Sequence, residues 1–223
     1  MMPDLHPLIV VEGMDGAGKN THSHQLVNWF REHLKLPAVY RDFPRYESLT
    51  GKAILGHLKH EWQAADLESQ LLLARKSELD ELVFQCLMTV NRFECVQELQ
   101  EARKAGPVVC DRYWPSGYAY GSANGLPAPF LEAVHSLLPA PDVCLFLDIS
   151  VEESWKRRPE RRDRYEKQPE MLHRVRWSYL ELFRRRDWVV IDAMGSPEEV
   201  QTRIQWRVTQ GLEALAVQGS TTP

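Results

Sequence analysis

Five short stretches of this chain are almost continuously apolar: residues 7–12, 37–42, 107–111, 142–149 and 187–192. None alternates as a strand with one wet face would, and longer segments with helical spacing separate them. A parallel sheet covered on both faces by crossover helices needs strands of this kind. The pattern therefore predicts an α/β fold, a five-stranded parallel sheet doubly wound by helices. Helices are expected over about residues 18–34, 47–60, 66–105, 129–138, 169–186 and 196–215. The stretch 66–105 exceeds a typical helix. It is expected either as two helices or as one long helix whose excess apolar surface packs on a second subunit. Ser196 before Pro197 suits an N-cap followed by a first-turn proline. The tail from residue 218 is expected to fray.

Length and composition narrow the classes. The 223 residues, with no linker or repeat, are expected as one domain, 1–223. Hydrophobic residues at 43% and charged residues at 26% exclude a disordered or collagen-like chain. No apolar run approaches the roughly 18 residues that cross a bilayer. With 27 basic and 31 acidic residues the net charge is −4, which argues against a whole-surface nucleic-acid binder and leaves any anion to a focused site. Cys86, Cys95, Cys110 and Cys144 are widely spaced, with no CxxC pair or zinc-spaced histidines, and are expected as reduced, partly buried thiols. The first apolar run begins without a basic or signal-like leader, so a cytoplasmic location is the expectation.

Between the first strand and the first helix the chain reads Gly13-Met14-Asp15-Gly16-Ala17-Gly18-Lys19-Asn20-Thr21. This is the G-x-x-x-x-G-K spacing in the strand-to-helix context of a phosphate-binding loop. Glycines let the backbone turn tightly, successive N–H groups form a nest for an anion, and the helix N-terminus adds a favourable dipole. Lys19 supplies a mobile positive charge. Residues Gly13 through Thr21 are the candidate ATP-binding set. The hydroxyl usual after the lysine is replaced by Asn20, with Thr21 following, so the metal contact through that hydroxyl has no obvious donor. Asp15 is placed to help hold magnesium or touch the acceptor, unless it only stabilises the turn. Asp111 ends the third apolar run, where a carboxylate holds magnesium in many phosphate-loop proteins.

Residues just after parallel strands face a shared crevice. Phe43-Pro44-Arg45 follows the second run, Arg112-Tyr113 follows Asp111, and Asn91-Arg92 lies in the long helical region. A sugar hydroxyl acceptor needs a general base, whereas a phosphate acceptor needs charge neutralisation and alignment. Several arginines without a clear base favour a phosphate acceptor, although Glu12, Asp42 and Glu47 remain candidate bases. Farther on, residues 156–176 hold nine basic residues: Lys156, Arg157, Arg158, Arg161, Arg162, Arg164, Lys167, Arg174 and Arg176. Most suit a solvated helix face. The group from Arg157 to Arg164 interrupts a helical pattern at Pro159, however, and suits a short mobile lid, about residues 155–168, closing over the transferring phosphoryl group. Arg157, Arg161 and Arg162 are the candidate catalytic arginines of that lid.

At these residues the chain resembles the thymidylate kinases, phosphate-loop (P-loop NTPase) enzymes that make dTDP from dTMP and ATP. The likeness rests on Glu12-Gly13-Met14-Asp15-Gly16-Ala17-Gly18-Lys19, Phe43-Pro44-Arg45, Asn91-Arg92, Asp111-Arg112-Tyr113 with Ser116-Gly117, Arg164-Tyr165-Glu166 and Ile191-Asp192-Ala193. It implies that Arg45 and Arg112 hold the acceptor phosphate and that Arg92 bonds the pyrimidine. Ser116, Gly117 and Tyr120 then line the nucleoside side, Tyr165 and Glu166 close over it, and Mg²⁺ accompanies ATP with Asp15, Asp111 and Glu166 near it. Asp15, Phe43 and Asn91 belong to the acceptor side as well. The family's catalytic arginine comes from the phosphate loop or from the lid; Gly16 leaves none in this loop. The family's stacking phenylalanine aligns with Met88, which covers a base without an aromatic face. A homodimer through long helices is implied too. A deoxynucleoside kinase and a non-catalytic nucleotide switch are the alternatives, the latter without a guanine-reading Asn-Lys-x-Asp.

Overall fold

The computed structural model describes residues 5–59, 76–158 and 169–220. Five strands, β1 (Leu8–Gly13), β2 (Val39–Asp42), β3 (Val108–Asp111), β4 (Val143–Asp148) and β5 (Val189–Asp192), form one sheet in the order β2-β3-β1-β4-β5. Every pairing is parallel. The central strand explains the unbroken apolar run: Leu8, Ile9, Val10 and Val11 are fully buried, with Val10 between Cys110 and Cys144. Four strands end in aspartate, and the register sets Asp42 beside Asp111 and Asp148 beside Asp192. Arg176 neutralises Asp148 with two bonds of 2.7 and 2.8 Å.

The helices among the described residues are α1 (Lys19–Glu32), α2 (Leu49–Leu58), α3 (Lys76–Phe93), α4 (Val96–Ala105), α5 (Trp114–Ala123), α6 (Ala128–His135), α7 (Val151–Arg157), α8 (Pro169–Arg186) and α9 (Pro197–Ser220). The long expected stretch breaks between α3 and α4 at Glu94 and Cys95, and its beginning, 66–75, lies outside the described residues. Two helices, α5 and α7, were not expected. Tyr118, Ala119 and most other residues of α5 are buried, so it lacks the polar face that would reveal a 3.6-residue period. In α7 seven residues are too few for a periodic pattern. At the C-terminal end α9 continues to Ser220, past the expected onset of fraying at 218, and 221–223 lie outside the described residues. At its start, Ser196 Oγ accepts from Glu199 N–H at 3.3 Å while Ser196 N–H donates to Glu199 Oε2 at 2.9 Å. That is a reciprocal capping box.

The connection from β2 to α2 crosses the carboxyl edge of the sheet, and Asn91 of α3 holds it. Asn91 Oδ1 accepts from Arg45 N–H at 2.8 Å, and its amide donates to Arg45 O and to the hydroxyls of Ser48 and Thr50. Gly51, in the first turn of α2, lies directly against this loop. A Cβ there would fall 1.9 Å from Arg45 O and 2.7 Å from the Tyr46 Cα. Because both contacts are backbone, Gly51→Ala is expected to destabilise the protein by about 3 kcal/mol, read as a lowered urea midpoint. An unchanged midpoint would mean that the loop and α2 are free to separate.

Candidate active site

The phosphate loop joins β1 to α1. Gly16 and Gly18 adopt φ of 84° and 87°, a left-handed geometry that only glycine takes at no cost. A side chain at Gly16 would also meet the Ser154 carbonyl at 3.1 Å and Arg157 Cβ at 3.4 Å. The packing of α7 thus accounts for the missing loop arginine. Ser154 Oγ donates to Asp15 O at 2.5 Å, tying α7 to the loop. Lys19 Nζ donates to Met14 O at 3.0 Å and lies 3.6 Å from Asp15 Oδ1. Burial lowers the lysine's pKa, and the charge of Arg112 adds to that; Asp15 opposes both.

Asp15 gathers cations. Its Oδ1 lies 2.7 Å from Arg112 Nη2 and 3.5 Å from Arg158 Nη1, in addition to Lys19. Arg112 follows β3 with φ of 64°, and its N–H bonds to Val11 O at 3.0 Å. Its other guanidinium nitrogen, Nη1, reaches Ser116 Oγ at 3.2 Å and Gly13 O at 3.3 Å. Beneath it lies Glu12, a buried carboxylate that accepts from Tyr113 N–H (2.7 Å), Ser116 N–H (3.2 Å), Ser116 Oγ (2.6 Å) and Tyr179 Oη (2.9 Å). Burial raises its pKa, against the opposing pull of Arg112 and these donors. Three of these bonds come from the start of α5 and the fourth from Tyr179 of α8, so this carboxylate is a cap and a tie between helices rather than a base for an acceptor. Glu12→Ala strands two buried N–H groups and is expected to cost about 3–5 kcal/mol in urea unfolding. Loss of less than about 1 kcal/mol would show that water replaces the carboxylate.

Two cavities open at the carboxyl edge of the sheet, of about 470 and 440 Å³. The first is walled by Asp15, Arg112, Ser116, Gly117 and Tyr120 on one side and by Pro44, Leu55, Phe84 and Met88 on the other. The second lies over Gly16, Gly18, Lys19, Asn20 and Thr21. Asp15, Arg112 and Arg158 line both. Two arginines and the aspartate that pairs with them thus stand at the boundary between the cavities. Arg157 also lines the second cavity, its guanidinium 3.4 Å from Gly16 O and 3.2 Å from Ala193 O.

Not every expected residue reaches a cavity wall. Arg45 turns away to Glu98, 3.3 Å distant, a carboxylate it shares with Arg41. Arg92 is completely buried: it donates to Met88 O and, at 2.7 Å, to Tyr113 O, with Phe43 6.0 Å from its guanidinium carbon. Burial lowers its pKa to about 10, and its Nε has no partner. Asn91 lies in the loop clamp already described. Phe43 lines the second cavity and packs on Tyr113. Arg161, Arg162, Tyr165 and Glu166 lie outside the described residues.

Several wall residues escaped the sequence reading, Phe84, Gln85 and Arg158 among them. Phe84 precedes Met88 by one helical turn, so both share a face of α3; its ring stacks on His57 at 4.4 Å. The same i, i+4 step from Arg92 back through Met88 to Phe84 was a readable signal. Gln85 lines the first cavity beside it. Arg158 was hidden among the many lid cations.

Asp111 and Asp42 flank the second cavity with Tyr40. Asp111, Asn20, Thr21 and Asp42 offer only oxygen or amide donors, a set that suits a hard cation such as Mg²⁺. Among the described residues no three His, Cys, Asp or Glu side chains converge on a metal position. Mg²⁺ relies on one or two carboxylates, water and substrate phosphates. Asp15, by contrast, is committed to its cations.

The family model described as thymidylate kinase matches residues 11–204. The chain is 33% identical over 199 residues to the thymidylate kinase of Arabidopsis thaliana, covering 89% of this chain and 69% of that one. It is 32% identical to a probable thymidylate kinase of Methanocaldococcus jannaschii, over 88% of this chain and 92% of that one. Among solved structures, it superposes on the thymidylate kinase of Candida albicans with a TM-score of 0.72 and 25% identity, over 94% and 93% of the two chains.

Proposed function

The chain belongs to the thymidylate kinase family, and from that premise we propose how its residues carry the ATP γ-phosphoryl group to dTMP, giving dTDP. The observation that carries the reading is the pair of cavities meeting at Arg112, Asp15 and Arg158. ATP lies over the phosphate loop from Gly13 to Thr21, and the monophosphate of dTMP projects from the first cavity to Arg112. Lys19, Arg112 and a lid arginine spread along this boundary stabilise charge on the moving group, the dominant demand of phosphoryl transfer. Asp15 keeps Arg112 and Lys19 in register. Arg157 and Arg158 stand against the loop; Arg161 and Arg162, outside the described residues, are the other lid candidates. Mg²⁺, held on the Asp111 side, supplies neutralisation of the phosphate oxygens.

In the first cavity, the apolar wall of Pro44, Phe84 and Met88 covers the pyrimidine face. Gly117 and Tyr120 take the deoxyribose side, with Ser116 beside the phosphate. Arg45 reaches the acceptor by exchanging Glu98 for the incoming phosphate, and Arg92 bears on the base through the Tyr113 loop. Tyr165 and Glu166 close from the lid. A deoxynucleoside kinase is disfavoured by the family match, and of the candidate bases Glu12 is fully engaged by four donors. Residues 1–223 are read as one kinase domain with its lid at about 155–168. α3 exposes Leu82, Val90 and Phe93, which supports a homodimer through this helix. No described helix is long and apolar enough to cross a membrane, and a cytoplasmic location is proposed.

The test is a coupled ADP-release assay with ATP, Mg²⁺ and dTMP, dUMP, dCMP, UMP, CMP, AMP, GMP or thymidine. The breadth of the panel matters because a broad substrate specificity is described for the Candida albicans enzyme. Turnover is expected to be fastest with dTMP, weaker with dUMP and undetectable with thymidine. Activity confined to thymidine would overturn the phosphate-acceptor reading. A preference for a different monophosphate would keep the mechanism and replace the substrate.

A further inference from the structure

Asn20 follows Lys19 at the first turn of α1, where other phosphate loops place the hydroxyl that meets the metal. Its amide nitrogen is committed, donating to Tyr40 Oη at 3.0 Å. Tyr40 Oη in turn approaches Asp111 Oδ2 at 3.5 Å. The phenol ring stacks on His24 at 4.0 Å and 23°, one turn further along α1. Tyr40 of β2 is thereby fixed between α1 and the end of β3. The two ends of a carboxamide diverge from one carbon, so an amide tied through nitrogen directs its oxygen away from the tie. Asn20, Thr21, Tyr40 and Asp111 all line the cavity over the phosphate loop.

We propose that Asn20 Oδ1 takes the metal position left by the missing hydroxyl, and that Tyr40, braced by Asp111 and His24, is the positioning residue that holds it there. The chemistry is conservative. A carboxamide oxygen and a hydroxyl are both neutral, hard donors, so the exchange leaves the charge count at the cation unchanged. The carboxamide differs in needing its plane fixed, because a flip would present N–H to the metal. The bond to Tyr40 prevents that flip, as second-shell partners of metal ligands do. The inference rests on the reading that a metal–ATP complex occupies this cavity and is independent of the acceptor.

The experiment uses Mn²⁺ as the metal and ADP as the nucleotide, with free Mn²⁺ measured by electron paramagnetic resonance. ADP affinity in EDTA is measured alongside. Asn20→Ala is expected to weaken Mn²⁺ binding to the enzyme–ADP complex by about tenfold or more, and Tyr40→Phe by severalfold. Metal-free ADP affinity, which draws on the loop's backbone N–H groups rather than on the Asn20 side chain, should fall far less than Mn²⁺ affinity. Asn20→Ser, which restores a hydroxyl, should recover the affinity and become insensitive to Tyr40→Phe, a dependence that a merely structural Tyr40 would not show. Wild-type Mn²⁺ affinity in Asn20→Ala would overturn the proposal. So would an equal loss of metal-free ADP binding, which assigns Asn20 to phosphate, or loss of metal in Thr21→Ala but not in Asn20→Ala. Failure of the kinase reading registers separately, as absent dTMP turnover with the Mn²⁺ results intact.

Discussion

Arg112→Ala is expected to lower kcat/KM for dTMP by about three orders of magnitude, ~4 kcal/mol of transition-state stabilisation. The guanidinium stands where both cavities meet and is preorganised, with Asp15 at 2.7 Å on one nitrogen and Ser116 and Gly13 on the other. Such a group meets developing charge without reorganising, and removing it costs more than removing a solvated arginine. The variant should still fold. Asp15 keeps Lys19 at 3.6 Å and Arg158 at 3.5 Å, so its carboxylate is not stranded. The left-handed φ of 64° is borne by arginine already and costs alanine no more. Steady-state kinetics with dTMP varied at saturating ATP, beside a thermal melt, make the measurement. Arg112→Lys should recover only part of the loss, because a point charge does not span Asp15 and the acceptor together. Wild-type turnover in Arg112→Ala would remove this residue from the site.

The sheet was legible because burial on both faces writes itself into sequence as unbroken apolar runs. All five expected strands form, each within two residues of the expected limits at either end. The phosphate loop was legible for a different reason, since few other backbones need glycines at 16 and 18 followed by a lysine. What sequence hid were facts of direction. Arg45 and Arg92 stand at the expected places along the chain, yet one turns to Glu98 and the other is buried under the Tyr113 loop. Nothing in residue spacing distinguishes these poses from a cavity wall. Glu12 carries the same lesson. Among the candidate bases it lies nearest the loop, and only the four donors converging on it identify a cap. The unexpected α7 was announced by Ser150-x-x-Glu153, where Ser150 Oγ accepts from Glu153 N–H at 3.1 Å. That capping signature was present without the periodic run that normally supports it.

Replacing Lys19 separates function from stability most sharply. Lys19→Met is expected to reduce dTMP turnover by about three orders of magnitude or more, since it removes the buried cation that the proposed function sets between the loop and the transferring phosphate. The same change should not weaken the folded protein at neutral pH. Burial lowers the folded-state pKa of Lys19 below the ordinary 10.5, so the unfolded chain binds more protons between the two values. Stability of the wild type therefore rises with pH across that window, and the charged form opposes folding below it. Methionine keeps the length and apolar stem, loses the bond to Met14 O, and removes the ammonium's desolvation. Asp15 remains paired with Arg112. Urea unfolding at pH 7 should find the variant at least as stable as the wild type, with the difference shrinking towards pH 10. A variant clearly less stable at pH 7 would show that the bonds to Met14 and Asp15 outweigh burial. The lysine would then support the loop as well as the phosphate, instead of being held at a cost in stability for the reaction it serves.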